Sequence, residues 1–283
     1  MIVILLLLLP RPGINSHGVI NDCGIGQSDF MWKIRANRNI KRIYAQIWNN
    51  NALLVSFDGC GVFRDWRYER QWKTKAGWYH VDQNPRMKPD RCCVQGFVSL
   101  TDQNETTGGL IVFPQTHLRF AQLEELGGRR PRDFVMIPDT HPILDRGQAI
   151  GKLIQCQAGD FVVWDSRLVH CNTPSIVRVE RDPRQPVDFL RIVAYVSMSP
   201  TTFIRGQTVD HFRKQRKLYA QNNCTLSHWS TELNEAGKRE REEEEMNLHG
   251  IYLGSSEGLP KVSLKKLDAY QRALLLGTDP DEK

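Results

Sequence analysis

Apolar positions in SDFMWKIRANRNIKRIYAQIWN, residues 28–49, recur at helical spacing, with Ser28 or Asp29 placed to cap the first turn and a break near Asn37 to Asn39. That pattern predicts a helical pair whose Phe30, Ile34, Ile40, Tyr44 and Ile47 cover a sheet. The character then changes. ALLVSF, residues 52–57, is a buried-strand run ended by Asp58 and Gly59. From there to Pro200 short strand-like runs follow at 76–82, 92–100, 109–113, 151–156, 160–165, 168–171 and 189–197, parted by Gly, Pro, Asp and Asn. Many short strands at close intervals predict a sandwich or jelly roll rather than alternating βαβ units. Residues 127–148 break the rhythm: rich in Arg, Pro and Asp, they are too irregular for a strand and long for a connection, and are read as a lid over a site or a mobile insert. Beyond Pro200 the helical period returns at Val209 to Gln221, at Asn234 to Asn247 with the solvated run KREREEEE, and at Ser263 to Gly277, where Leu264, Leu267, Tyr270 and Leu274 share a side. The expectation is one domain over residues 1–283, mainly β, with a core at about 50–200 and helical flanks at 28–49 and 206–277.

Composition narrows the function classes. Of 283 residues, 40% are apolar and 25% charged, which is ordinary for a globular chain with a sizeable core. The net charge of +6 arises from 38 basic and 32 acidic residues scattered along the chain, without the basic run or aromatic-basic stripe of a nucleic-acid binder, so no nucleic-acid partner is expected. Seven Cys, at 23, 60, 92, 93, 156, 171 and 224, are odd in number and form no CxxC pair, which argues against a zinc ribbon and a disulfide framework and for a reducing compartment. Ile2 to Leu9 are apolar but too few to span a bilayer, and they lack a basic flank and an AxA-like cleavage site. A cytoplasmic location is expected, with a secretory signal, a buried first strand and the edge of a gene model as readings of that run. No GxGxxG or GxxxxGK is present, which leaves dinucleotide and P-loop readings without support.

Two stretches carry chemistry. GWYHVDQNP, residues 77–85, sets His80 and Asp82 two apart, and in a strand that spacing puts Trp78, His80 and Asp82 on one face. An imidazole and a carboxylate then converge, as two thirds of the 2-His-1-carboxylate triad that holds non-haem Fe(II) and leaves open coordination positions. GDFVVWDSRLVHCNTP, residues 159–174, brings His170 to the end of a strand before a polar turn, where it can meet the HxD pair across the mouth of a β sandwich. His117, His141, His211, His228 and His249 are each lone among polar or helical neighbours and read as surface or core histidines.

His80, Asp82 and His170, joined by LTDQNETTGGLIVFPQTH (100–117) and WDSRLVH (164–170), resemble the phytanoyl-CoA dioxygenase-like family of Fe(II)/2-oxoglutarate oxygenases over about residues 45–200. The resemblance implies a double-stranded β-helix (jelly roll, cupin-like), Fe(II) on His80, Asp82 and His170, and 2-oxoglutarate chelating the metal. It also implies an Arg on the strand after the second His to hold the cosubstrate's far carboxylate. His117 matches a family position that is usually not a ligand. Phe97, where many members carry Trp, and the long stretch from Cys171 to Asp188 depart from the family pattern. The activity implied is hydroxylation of a small organic substrate by molecular oxygen, with release of succinate and CO2 and ascorbate as reductant. The alternative is a non-catalytic binding or sensing module that keeps the metal site. A halogenase would need halide in place of Asp82.

The strand FLRIVAYVS, residues 189–197, is apolar on both alternating faces and therefore covered on both sides, so Arg191 within it needs a partner. Its planar fork suits a carboxylate, that of the cosubstrate or, as the alternative, one of the protein's own in an internal salt bridge, which places it ahead of Arg178, Arg181 and Arg184 in the turn-rich stretch before it. Gln95 and Asn172 are candidates to hydrogen-bond the cosubstrate or to order the ligands. Trp78, Tyr79 and Phe97 are candidate pocket walls.

Overall fold

The computed structural model describes residues 17–21, 23–128, 133–144, 151–177, 184, 189–233, 261 and 263–281. The apolar residues 2–9, the expected helix 234–247, Arg178, Arg181 and part of the 127–148 segment lie outside them. In chain order the elements are β1 (Val19–Ile20), α1 (Asp29–Arg35), α2 (Arg38–Trp48), β2 (Leu53–Val55), β3 (Cys60–Arg64), β4 (His80–Val81), β5 (Val94–Ser99) and β6 (Gly109–Val112). After a 3-10 stretch at Thr116–Leu126 come β7 (Val135–Met136), β8 (Lys152–Leu153), β9 (Phe161–Asp165), β10 (His170–Thr173), β11 (Phe189–Tyr195), β12 (Met198–Pro200), α3 (Val209–Gln221) and α4 (Ala269–Leu276).

The fold is mainly β with a few helices. Its strands form two five-stranded sheets, ordered β1-β3-β11-β5-β9 and β7-β4-β10-β6-β8, and a two-stranded sheet β12-β2. Antiparallel pairing recurs throughout, for example between β5 and β9 and between β10 and β6, and neighbours distant in sequence lie side by side, as in a jelly roll. The chain falls into two compact units. One runs from Val62 to Val193, and the other joins the residues up to Gly61 with those from Ala194 onward, so the boundary passes through β3 and β11.

Within the Val62–Val193 unit, the HxD run is a strand only at His80–Val81. Gly77 takes φ 75°, which L side chains avoid, so the chain turns just before Trp78. Past Val81 the Asp82 N–H leaves the ladder and donates to the Ser166 carbonyl at 3.0 Å. The 127–148 segment needs a correction. Its Val135–Met136 is an edge strand paired with β4, with His80 opposite Met136 and Val81 opposite Val135, and the Ile137 N–H extends the pairing to the Tyr79 carbonyl at 2.8 Å. Alternation in FVMIP sends Val135 and Ile137 inward, where with Ile143 and Leu144 they join Val81, Leu123 and Val169 in one apolar cluster. Residues 133–144 are thus wall and core rather than a lid.

In the other unit, the Ser28 side chain caps α1 by accepting from the Met31 N–H. The buried face is Met31, Trp32 and Arg35 on α1 and Ile40, Lys41 and Tyr44 on α2. Phe30 is 40% exposed and Ile34 half-buried, which corrects the expected face by about one position. The displacement arises because Arg35, whose guanidinium donates to the Asp58 carbonyl at 2.6 Å, takes an inward place that a polar residue was not expected to hold. α3 has the expected bounds, and α4 opens with a capping box between Asp268 and Gln271. Among the described residues, no helix is long and apolar enough to cross a membrane.

Candidate metal centre

β4 and β10 are antiparallel neighbours with His80 directly opposite His170, and directly opposed residues share a face. The two imidazole centroids lie 4.3 Å apart. Asp82 turns its carboxylate into the same point, with Oδ2 3.6 Å from His80 Nε2 and 3.3 Å from His170 Nε2. One ligand atom from each of the three lies within 4.8 Å of the others, and among the described residues this is the cluster of metal-binding side chains that the fold assembles.

The protonation of both rings follows from their main-chain neighbours. His80 Nδ1 is 3.0 Å from the Trp78 carbonyl and His170 Nδ1 is 2.8 Å from the Leu168 carbonyl. A carbonyl can only accept, so the neutral rings carry their proton on Nδ1 and turn the Nε2 lone pair toward Asp82. Burial lowers the His80 pKa from its ordinary value, the neighbouring His170 lowers it further, and Asp82 opposes both. Neutral imidazole is the form that binds a metal. Two such nitrogens and one carboxylate oxygen form a donor set that fits a divalent first-row ion such as Fe(II). Burial pushes the thiol of Cys171, next to His170 in sequence, up to about 12.

Gln95 on β5 donates from Nε2 to Asp82 Oδ2 at 2.9 Å, so it orders a ligand. Trp78 stacks on His80 at 4.6 Å with the rings 8° from parallel, and Phe134 meets the same imidazole at 4.7 Å. Trp164 packs against His170 at 5.5 Å, with Phe97 behind it at 5.9 Å. Tyr79 points to the opposite side, edge-on to Phe113 at 4.8 Å, which makes it a core residue. His141 accepts the Ile143 N–H on Nδ1 at 3.1 Å, a local turn contact.

Arg191, on β11 and 1% exposed, sends Nη1 to Gln103 Oε1 at 3.1 Å and to Asn172 Oδ1 at 3.2 Å, with its guanidinium carbon 3.6 Å over the Phe63 ring. Asn172 lies two residues beyond His170 on β10 and so shares its face. Arg184 is exposed. Sequence reasoning missed Gln103, Phe63 and Phe134. Gln103 stands in a polar run, QNETTGG, where nothing separates a buried amide from turn residues; Phe63 lay between the runs read as strands, and Phe134 in the segment read as a lid or a mobile insert.

The chain matches the family model for phytanoyl-CoA dioxygenase (PhyH) over residues 62–174. It is 26% identical over 221 residues to Ava biosynthesis cluster protein O of Aspergillus versicolor, which covers 74% of this chain and 67% of that protein. Among solved structures it is similar to EctD from S. alaskensis with bound Fe, at 12% identity and a TM-score of 0.44 over 67% of this chain and 63% of that one. It is also similar to the epimerase SnoN in complex with Fe3+, alpha ketoglutarate and nogalamycin RO, at 16% identity and a TM-score of 0.40 over 62% of this chain and 60% of that one. The chain therefore spans about two thirds or less of the length of each of these proteins. Residues 62–174, which run from β3 through the HxD strand to the turn beyond His170, are thus the part of the chain that is similar to the phytanoyl-CoA dioxygenase family.

Proposed function

We propose that this protein is an Fe(II)- and 2-oxoglutarate-dependent dioxygenase that hydroxylates a small organic molecule, using molecular oxygen and releasing succinate and CO2. The observation that carries the reading is the convergence of His80, Asp82 and His170 on one point, with both Nδ1 protons committed to main-chain carbonyls. His80, Asp82 and His170 hold the metal by three positions, and Gln95 keeps the Asp82 carboxylate aimed at it. Fe(II) bound there supplies the oxidising chemistry, coupled to loss of CO2 from the 2-oxo acid. Arg191 would hold the far carboxylate of 2-oxoglutarate, and Asn172 steadies the guanidinium from the strand that carries His170. Trp78, Phe134 and Trp164 shield the imidazoles from water, which strengthens every charge interaction at the centre. Ascorbate serves as the reductant that keeps the iron ferrous.

The test combines iron binding, 2-oxoglutarate titration under anaerobic conditions and succinate formation with Fe(II) and ascorbate. His80→Ala, Asp82→Ala and His170→Ala are each expected to lose Fe(II) binding and turnover while remaining folded, whereas His117→Ala and His141→Ala retain both. Arg191→Ala should bind Fe(II) normally but 2-oxoglutarate more than a hundredfold more weakly, since losing one partner of a buried charged pair costs about 3 to 5 kcal/mol. Full succinate production by His170→Ala would refute the triad. A chain that binds Fe(II) and 2-oxoglutarate but forms no succinate with any substrate would favour the binding-module alternative.

A further inference from the structure

β7 is the last strand of its sheet, and its register with the metal centre sets one more side chain in line with the ligands. Met136 stands opposite His80 and His80 opposite His170, so the three side chains form a row on one face of the sheet. Met136 is 47% exposed. Phe134, two residues before it, meets His80 at 4.7 Å and Trp78 at 6.4 Å, the second pair with its rings 32° apart. Val135 and Ile137 turn the other way into the apolar cluster, a core in which Phe134 and Met136 have no part. Trp78 and Phe134 are half-buried. Two aromatic rings and a thioether thus border His80 at the rim of the centre, with Met136 one strand spacing, about 5 Å, from the line of the ligands. An edge strand that faces only water commonly carries charge or Pro, and this one presents a methionine.

We infer that Trp78, Phe134 and Met136 form the wall against which the substrate lies, and that the substrate carries a flat aromatic ring system. This rests on the reading of His80, Asp82 and His170 as an Fe(II)/2-oxoglutarate centre. Because the row runs on from Met136 into His80 and His170, a molecule seated on Met136 and Phe134 lies beside that centre, where a substrate has to be. Buried area alone would suit any apolar molecule. The chemistry of the wall is more selective: a ring gains from offset stacking or edge contact with another ring, and a thioether gains from contact with a ring edge, in both cases beyond the area covered. A saturated frame of the same size gains only by its area. Trp78 is stacked on His80 at 4.6 Å, 8° from parallel, so the plane of the wall is set before a ligand arrives, while the unbranched Met136 adapts to the ligand's outline.

The experiment follows the methionine methyl groups of the Zn(II)-loaded full chain, labelled with methyl-13C methionine, by NMR while 2-naphthol or decahydro-2-naphthol is added; the two share a ten-carbon frame that is flat in the first and puckered in the second. The Met136 signal, identified as the one lost in Met136→Leu, should shift with 2-naphthol through the ring current, while that of Met198, which is 0% exposed, stays in place. By calorimetry 2-naphthol should bind about tenfold more tightly than its saturated analogue, the size of one or two ring contacts. Met136→Lys and Phe134→Ala should each weaken 2-naphthol about tenfold and reduce that preference, and if Phe134→Ala fails to fold, Met136→Lys decides. An unmoved Met136 signal, or equal affinity for the two compounds, would overturn the inference. So would a Met136 signal that shifts with protein concentration and not with 2-naphthol, which would make this face a contact between two copies of the chain. Either result beside normal binding of Fe(II) and 2-oxoglutarate, titrated separately, would leave the cosubstrate reading intact. A chain that takes up 2-naphthol but binds neither Fe(II) nor 2-oxoglutarate would overturn that reading and, with it, the wall as a substrate site.

Discussion

At the scale of single residues, the arrangement depends on which proton each polar group has to give. Asp82 Oδ2 faces both Nε2 atoms and accepts from Gln95, so the amide holds the carboxylate oxygen that a metal would share. Gln95→Leu should therefore lower Fe(II) affinity by about ten- to a hundredfold with little change in folding, as measured by competition with a chelator of known affinity. The HxD pair could be read from the sequence because a period of two puts His80 and Asp82 on one side of an extended chain. Arg191 could be read because both faces of its strand are apolar, which demands burial. Gln103 could not, since a polar turn contains several amides and only tertiary packing decides which one is enclosed.

At the scale of elements, the bounds of α3 and the break between α1 and α2 were visible in the apolar spacing and the capping residues. Strand bounds were less so. β4 is cut to two residues by the left-handed turn at Gly77 and by the exit of Asp82 to Ser166, neither of which alters hydrophobic periodicity. β3 was passed over because it follows the Asp-Gly pair that reads as a turn, and β7 because Arg, Pro and Asp surround it. The turn before β6 offers a test of local geometry. Gly108 has φ 74°, and a Cβ there would lie 2.3 Å from the Thr173 carbonyl oxygen at the end of β10. Gly108→Ala then combines a strained backbone with a clash against main chain that cannot swing away. It should destabilise the protein by about 2 to 4 kcal/mol, seen as a lower urea midpoint at unchanged slope.

Across the whole molecule, charge is buried in the unit that joins the residues up to Gly61 with those from Ala194 onward, and pH should act there. Arg35 and Arg216 are fully enclosed, with pKa values brought down to about 10 and about 9, each chiefly by burial. Arg216 donates to the carbonyls of Val55, Ser230 and Leu275, tying three segments together. Asp58, 3.8 Å from Arg35, is raised to about 6 by burial, with Arg35 and the Ser56 hydroxyl pulling the other way. A carboxyl whose pKa is higher folded than unfolded favours the protonated protein. Its contribution is fully present below about pH 4 and is lost as the pH rises through 6. A carboxyl moved from about 4 in the unfolded chain to about 6 in the folded one changes stability by about 3 kcal/mol across that range. The stability of wild type relative to Asp58→Asn should therefore fall by about 3 kcal/mol between about pH 4 and pH 7, measured by denaturant unfolding at each pH.

The short ladder between β4 and β10 has a further consequence for the polymer. His80 and His170 are roughly ninety residues apart in sequence, yet they face each other across a strand pair to which β4 contributes only two residues. A metal ion held by both is a cross-link closing a loop of that size, comparable in its effect on the unfolded chain to a disulfide, which for a loop of about a hundred residues restricts the chain by about 4 to 5 kcal/mol. An ion bound there would be a staple as well as a reagent. Loading the protein with Fe(II) should therefore slow its digestion by a protease relative to the chelator-treated protein, if the proposed site holds the ion.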